Sequence, residues 1–187
     1  EILDFISKNK RNTKIIAVSK NYSLKSILEA VDFGVRLFAE NRVQEAIKKF
    51  FDLKKKIVNL NLHLTGPLQT NKVKLALSIF DVIQTLDREK LAKELFKHSD
   101  LIKDKTFFVQ VNVGEEKMKN GIFPSEASNF IDYCKHDLGF KISGLMCIPP
   151  NHEDPTSFFL LLKEIAVKNN IYNLSMGMSN DFDKAIL

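Results

Sequence analysis

Short apolar runs alternate with stretches of helical period along nearly the whole chain. KIIAVSK (14–20) holds four consecutive apolar residues, Ile15 to Val18, and reads as a strand covered on both faces that runs into Ser19 and Lys20. In SLKSILEAVDFG (23–34), Leu24, Ile27, Leu28 and Val31 share one helical face, with Ser23 as N-cap and Gly34 as the stop. VRLFAEN (35–41) is the second strand, and RVQEAIKKFFDLKK (42–55) a helix with Val43, Ile47 and Phe50 inward. LHLTG (62–66) and DVIQTL (81–86) are the third and fourth strands, separated by the helix NKVKLALSIF (71–80). DREKLAKELFKHS (87–99) is the next helix, with Asp87 as its cap.

The second half continues the rhythm. TFFVQVNV (106–113), KISGLMCI (141–148) and YNLSMGMS (172–179) read as strands five to seven. Between them lie PSEASNFIDYCKHDL (124–138), opened by Pro124, and DPTSFFLLLKEIAVKN (154–169), with Asp154 as cap and Pro155 as first helical residue. DFDKAIL (181–187) starts a last helix. Seven tandem strand–helix units whose strands lack clean alternation imply a buried parallel sheet. A (βα)8 barrel and an open doubly wound sheet both satisfy that pattern. No long linker divides the chain, so residues 1–187 read as a single domain.

Composition removes several function classes. The chain is 44% hydrophobic, enough for one substantial core, yet no apolar run approaches the roughly 20 residues of a membrane span. The opening EILDFISKNKRN (1–12) is amphipathic and lacks a signal-peptide layout. Cys134 and Cys147 form neither a disulfide framework nor a CxxC pair, which suits a reducing, cytoplasmic setting. Net charge is +5, but only four residues are arginine, and the lysines are spread over helix faces beside Glu and Asp. A nucleic-acid binder clusters its cations and interleaves aromatics, so no nucleic-acid partner is expected. The dinucleotide fingerprint, the Walker loop, G-x-S-x-G and H-E-x-x-H are absent, and the four histidines have no metal-ligand spacing.

The chemistry collects where a parallel barrel puts it, at the C-terminal strand ends. That rim carries Lys20, Asn41, Gly66, Thr85 with Asp87, Asn112, Met146 with Cys147, and Ser179. Partial desolvation at the end of a buried strand would favour the neutral amine of Lys20, the form that adds to an aldehyde. In SMGMSNDF (175–182) a strand ends in small residues and a helix begins at once, capped by Ser179 or Asn180. Its free N–H groups suit a phosphate, provided Asp181 points away. An aldehyde-seeking lysine and a phosphate cradle on one rim suit pyridoxal 5′-phosphate. His63, inside an apolar strand, reads first as a hydrogen-bonded structural histidine.

Six stretches, AVSK (17–20), FAENRVQEA (38–46), HLTGPLQTNK (63–72), QVNVGEEKMKNG (110–121), GLMCIPP (144–150) and LSMGMSNDFDKAI (174–186), together resemble the pyridoxal-phosphate homeostasis protein family. Its fold is like the N-terminal barrel of alanine racemase. The resemblance implies a monomeric cofactor-binding protein with no established catalytic turnover, no catalytic residue and no metal. Lys20 would hold pyridoxal phosphate as an imine, Met178 and Ser179 would line the phosphate, and Asn41 would face the cofactor. His63 and Met146 would stand at the rim or just behind it. Two positions depart mildly from the family, Ala39 for the usual glycine and Leu62 for an aromatic before His63. The family also continues past DFDKAIL into an eighth strand with an Arg-Ile-Gly motif and a closing helix. The natural protein is therefore expected to extend beyond residue 187. The alternatives are an amino-acid racemase or decarboxylase on the same barrel, and a lysine-rich nucleic-acid-binding protein.

Overall fold

The computed structural model describes residues 2–9 and 12–187. Glu1, Lys10 and Arg11 of the amphipathic opening lie outside the described residues. Seven strands form one sheet in sequential order, every neighbouring pair parallel. They are β1 (Ala17–Val18), β2 (Leu37–Glu40), β3 (Asn61–Leu64), β4 (Val82–Leu86), β5 (Thr106–Gln110), β6 (Ile142–Met146) and β7 (Asn173–Ser175). The helices are α1 (Ile2–Lys8), α2 (Leu24–Asp32), α3 (Val43–Lys56), α4 (Val73–Ile79), α5 (Glu89–Phe96), α6 (Ser99–Ile102), α7 (Pro124–Asp132), α8 (Thr156–Lys168) and α9 (Phe182–Ile186).

The strand order rules out the doubly wound alternative, in which the order reverses part-way. The sheet is curled instead. Ser175 on β7 donates through Oγ to Gln84 Oε1 on β4 at 2.6 Å. Three strand spacings in a flat sheet would hold those residues roughly 14 Å apart. The architecture is a parallel seven-stranded half-barrel of the TIM type, and no eighth strand is present among the described residues.

Side-chain alternation sorts the two faces of the sheet. Phe38, Leu62, Leu64, Ile83, Phe107, Val109 and Leu145 face the helices and join the main core with Phe50, Leu77, Leu91, Ile131 and Leu162. Val82, Phe108 and Met146 form a separate small cluster on the inner face. Gly144 is needed there, because a Cβ at that position would lie 2.3 Å from the Phe108 ring.

Local signals hold well at several ends. Ser23 Oγ accepts the Ser26 N–H and caps α2. Past its C-terminus Gly34 takes φ +90, with Gly34 N–H bonded to Val31 O and Val35 N–H to Ala30 O. That is the paired bonding of a Schellman stop, which needs a left-handed residue. Pro124 opens α7, which then widens into a π-helical turn over Tyr133–Asp137.

Four local expectations are corrected. β1 has two residues, and Ile15 and Val18 are 40% and 43% exposed. It is an edge strand, paired among the described residues only to β2, so its outer edge stays open. With so little sheet beneath it, α2 buries Ile27 and Val31 while Leu24 and Leu28 remain exposed. Asp87 does not cap α5: it is buried against the Arg88 guanidinium, and the helix starts two residues later. Asp154 caps α8 from one residue further out, its Oδ1 accepting the Thr156 N–H at 2.9 Å while Pro155 holds the cap position.

Candidate functional site at the C-terminal rim

Lys20 lies two residues past the end of β1, after the buried Ser19, and is exposed, unlike the covered strand end expected. A tight turn carries it. Tyr22 N–H bonds to Ser19 O at 3.1 Å, and Asn21 takes φ +65. This is the turn class that requires a left-handed third residue, a conformation asparagine tolerates better than most. The turn is anchored from the helix side of the sheet. Ser19 N–H bonds to Ala39 O, Ser19 Oγ donates to Glu40 Oε1 at 2.8 Å, and Lys49 Nζ donates to both Ser19 O and Glu40 Oε1 at 2.9 Å.

Asn41, just past β2, accepts the Thr65 hydroxyl through Oδ1 at 3.0 Å, which joins the ends of β2 and β3. Gly66 packs so closely here that a Cβ would lie 2.1 Å from Asn41 O. Thr85 Oγ1 donates to Gly66 O at 2.9 Å and carries the contact on to β4. Asn112 organises the loop after β5, donating to Glu116 O and accepting its N–H. The strand ends thus form one hydrogen-bonded rim from Asn41 to Thr85.

At the far side of the half-barrel, β7 ends at Ser175, four residues before the expected limit, and Met176–Asn180 are loop. Gly177 turns that loop with φ +83, and a Cβ there would press on Ala185 of α9 at 2.7 Å. Met178 and Ser179 are exposed. The helix-start position falls at Asp181, neither at Ser179 nor at Asn180. Its carboxylate does not point away: Oδ1 accepts the Met178 N–H at 2.5 Å. An orphan N–H near a helix start takes the nearest acceptor, and an aspartate three residues on is well placed to supply it.

His63 and Met146 lie deeper. His63 is 8% exposed, and Gln84 Nε2 lies 2.6 Å from its Nδ1. Gln84 already gives its carbonyl to Ser175, so its amide N–H points at Nδ1, and the ring carries its proton on Nε2. Burial lowers the His63 pKa to about 4, against a smaller upward pull from Asp81. Met146 is buried with Val82 and Phe108. The ring that the sequence reads as structural is therefore part of a Ser175–Gln84–His63 chain across the inner face. Gln84 was missed as a participant, since nothing in DVIQTL marks which residue turns inward at the β4 irregularity.

Neither thiol offers a nucleophile. Burial pushes Cys134 and Cys147 up to about 12. Two concavities lie away from the rim. One, about 430 Å³, sits between α7 and the end of α8, lined by Ser128, Lys135 and Asn169. The other, about 380 Å³, opens at the N-terminal ends of the strands beneath His63. No described helix is long and apolar enough to cross a membrane.

Comparison with known proteins decides the family. The family described as alanine racemase, N-terminal domain, matches residues 3–173. The pyridoxal phosphate homeostasis protein of Aquifex aeolicus is 37% identical over 185 residues, covering 92% of this chain and 79% of that protein. The chain belongs to the pyridoxal phosphate homeostasis protein family. The Haemophilus influenzae member is 35% identical over 191 residues, with 96% and 81% coverage. Among solved structures, PipY of Synechococcus elongatus without pyridoxal phosphate superposes with TM-score 0.86 at 30% identity, over 100% of this chain and 93% of that one. PipY with pyridoxal phosphate bound gives 0.81. The alanine racemase of Acinetobacter baumannii, 16% identical with TM-score 0.76, shares the fold across 99% of this chain and 55% of its own length.

Proposed function

We propose that this protein binds pyridoxal 5′-phosphate covalently on Lys20 and acts in the homeostasis of that cofactor, with no catalytic turnover of its own. The observation that carries the reading is the Lys20 turn. Lys20 stands exposed on an anchored turn at the C-terminal rim, in a fold that superposes on pyridoxal-phosphate-bound PipY over 100% of this chain and 93% of that one. The residues present fit the group. An accessible primary amine condenses with an aldehyde to an imine and releases one water. The rim also offers an amide donor at Asn41 and a hydroxyl donor at Ser179, on the exposed Met178–Ser179 loop. Met146 and His63 lie behind the rim and support it from the inner face.

Phosphate binding at the Gly177–Ser179 loop has a built-in competitor, because the Asp181 carboxylate already holds the Met178 N–H. The Ser179 hydroxyl and backbone then carry the main contacts to the phosphate. β1 and β7 are the two edges of the sheet, and a strand pairing with both would remove exposed strand edges that invite aggregation. We infer a single closed barrel, acting as a monomer in the cytoplasm, with no nucleic-acid or membrane partner.

The test is spectroscopic. Purified protein mixed with pyridoxal phosphate should show imine absorbance that borohydride removes, and peptide mapping should place the reduced adduct on Lys20. An adduct chiefly on Lys72 or Lys119 overturns the assignment. Racemization of alanine above the rate of free cofactor would favour the enzymatic reading instead.

A further inference from the structure

We infer that the buried pair Glu40–Lys49 is a positioning device for Lys20, an inference that rests on Lys20 being the cofactor-binding amine. Glu40 is fully buried at the end of β2, and the Lys49 side chain on α3 is 16% exposed. Two charges so placed are an inefficient source of stability, since apolar residues of similar volume often serve as well. Their connections suggest another use. Glu40 Oε1 accepts from both Lys49 Nζ at 2.9 Å and Ser19 Oγ at 2.8 Å. Lys49 Nζ also donates to Ser19 O at 2.9 Å, the same carbonyl that accepts Tyr22 N–H to close the turn around Lys20. Ser19 therefore has its N–H, its hydroxyl and its carbonyl all engaged immediately before the reactive residue.

The need for such an anchor follows from β1. A two-residue edge strand paired on one side holds its C-terminal end weakly by sheet pairing alone. The ion pair fastens that end to β2 and α3, which are well packed through Phe38 and Phe50. Glu45 adds a second carboxylate to Lys49 at 3.6 Å and keeps the ammonium in place. Glu40 Oε2 is buried and has no hydrogen-bond partner among the described residues. That is a local cost retained at the one strand end bearing the lysine. An amine held within about an ångström of its reacting geometry gains large factors in imine formation, and losing that hold costs them.

The experiment compares the full-length natural protein with the double variant Glu40→Gln/Lys49→Met, which removes both charges together and strands neither. The probes are pyridoxal 5′-phosphate and, separately, inorganic phosphate. The expected result is a folded protein whose imine content at Lys20 demands at least about tenfold more cofactor, with inorganic phosphate affinity unchanged. The borohydride-trapped adduct should also spread to other lysines, which a purely stabilising pair would not cause. Unchanged affinity and unchanged adduct distribution overturn the proposal. If the double variant does not fold, Ser19→Ala decides, because it cuts only the hydroxyl link. A looser Lys20 adduct supports the device, and an identical one refutes it. A wild-type adduct found elsewhere than Lys20 sinks the functional reading itself, whereas a Lys20 adduct indifferent to both variants sinks only the positioning role.

Discussion

The buried imidazole of His63 makes a quantitative claim about pH. Its folded-state pKa is lowered from 6.5 to about 4, mainly by burial. Geometry adds to this, because the Gln84 amide N–H already faces Nδ1, and a proton there would set donor against donor. The sign follows from linkage. The unfolded chain takes up the proton near pH 6.5 and the folded one only near pH 4, so the unfolded state binds more protons in between. The contribution of His63 is fully present above pH 6.5, falls as pH drops, and is gone below about 4. Its size is about 3 kcal/mol, at about 1.4 kcal/mol per pH unit. The perturbation is His63→Gln, which cannot titrate. Urea unfolding at steps from pH 7.5 to pH 4 should show wild type losing stability faster than the variant by about that amount. The difference should be flat above pH 7. An imidazole that titrates near 6.5 by NMR in the folded protein, or a constant difference across the range, would refute the reasoning.

Gly144→Ala should destabilise by about 1–3 kcal/mol, because its Cβ would lie 2.3 Å from a Phe108 ring wedged against His63. Denaturant melts check this, and Phe108→Leu in the same chain should recover part of the loss. Gly66→Ala meets backbone, 2.1 Å from Asn41 O, so the β2–β3 rim must shift. Cofactor binding by absorbance titration should weaken together with stability, and loss of neither would mean the rim is slack. Ser179→Ala should weaken pyridoxal phosphate binding about ten- to a hundredfold while leaving pyridoxal nearly unaffected, since one hydrogen bond to a charged group is worth about 1.5–3 kcal/mol. An equal loss for both ligands would assign Ser179 to the loop's structure. Asp181→Asn keeps an acceptor for Met178 N–H but removes a negative charge from the proposed phosphate loop, so phosphate affinity should rise. A fall would show that the carboxylate orders the loop.

Periodicity alone determined the seven strands, their order along the chain and most of the helices, because a parallel sheet under helices demands long apolar runs alternating with amphipathic ones. Ser23, Gly34 and Pro124 marked their boundaries correctly, since capping and left-handed stops depend on neighbours within a turn. Of the motif residues, Asn41 does follow β2 at once and Lys20 stands two residues past β1, whereas Ser179 lies in a loop four residues beyond the end of β7. Distance along the chain hid the rest. β1 looked fully covered in sequence, but its exposure depends on whether another strand lies beyond it. Asp181 looked free to turn outward, yet the loop leaves it beside an unpaired N–H. The links from Ser175 to Gln84, 91 residues apart, and from Ser19 to Lys49, 30 apart, arise only when the sheet curls and α3 packs onto it. Short-range chemistry is written in adjacent residues, whereas burial and long-range hydrogen bonds exist only once the chain has closed on itself.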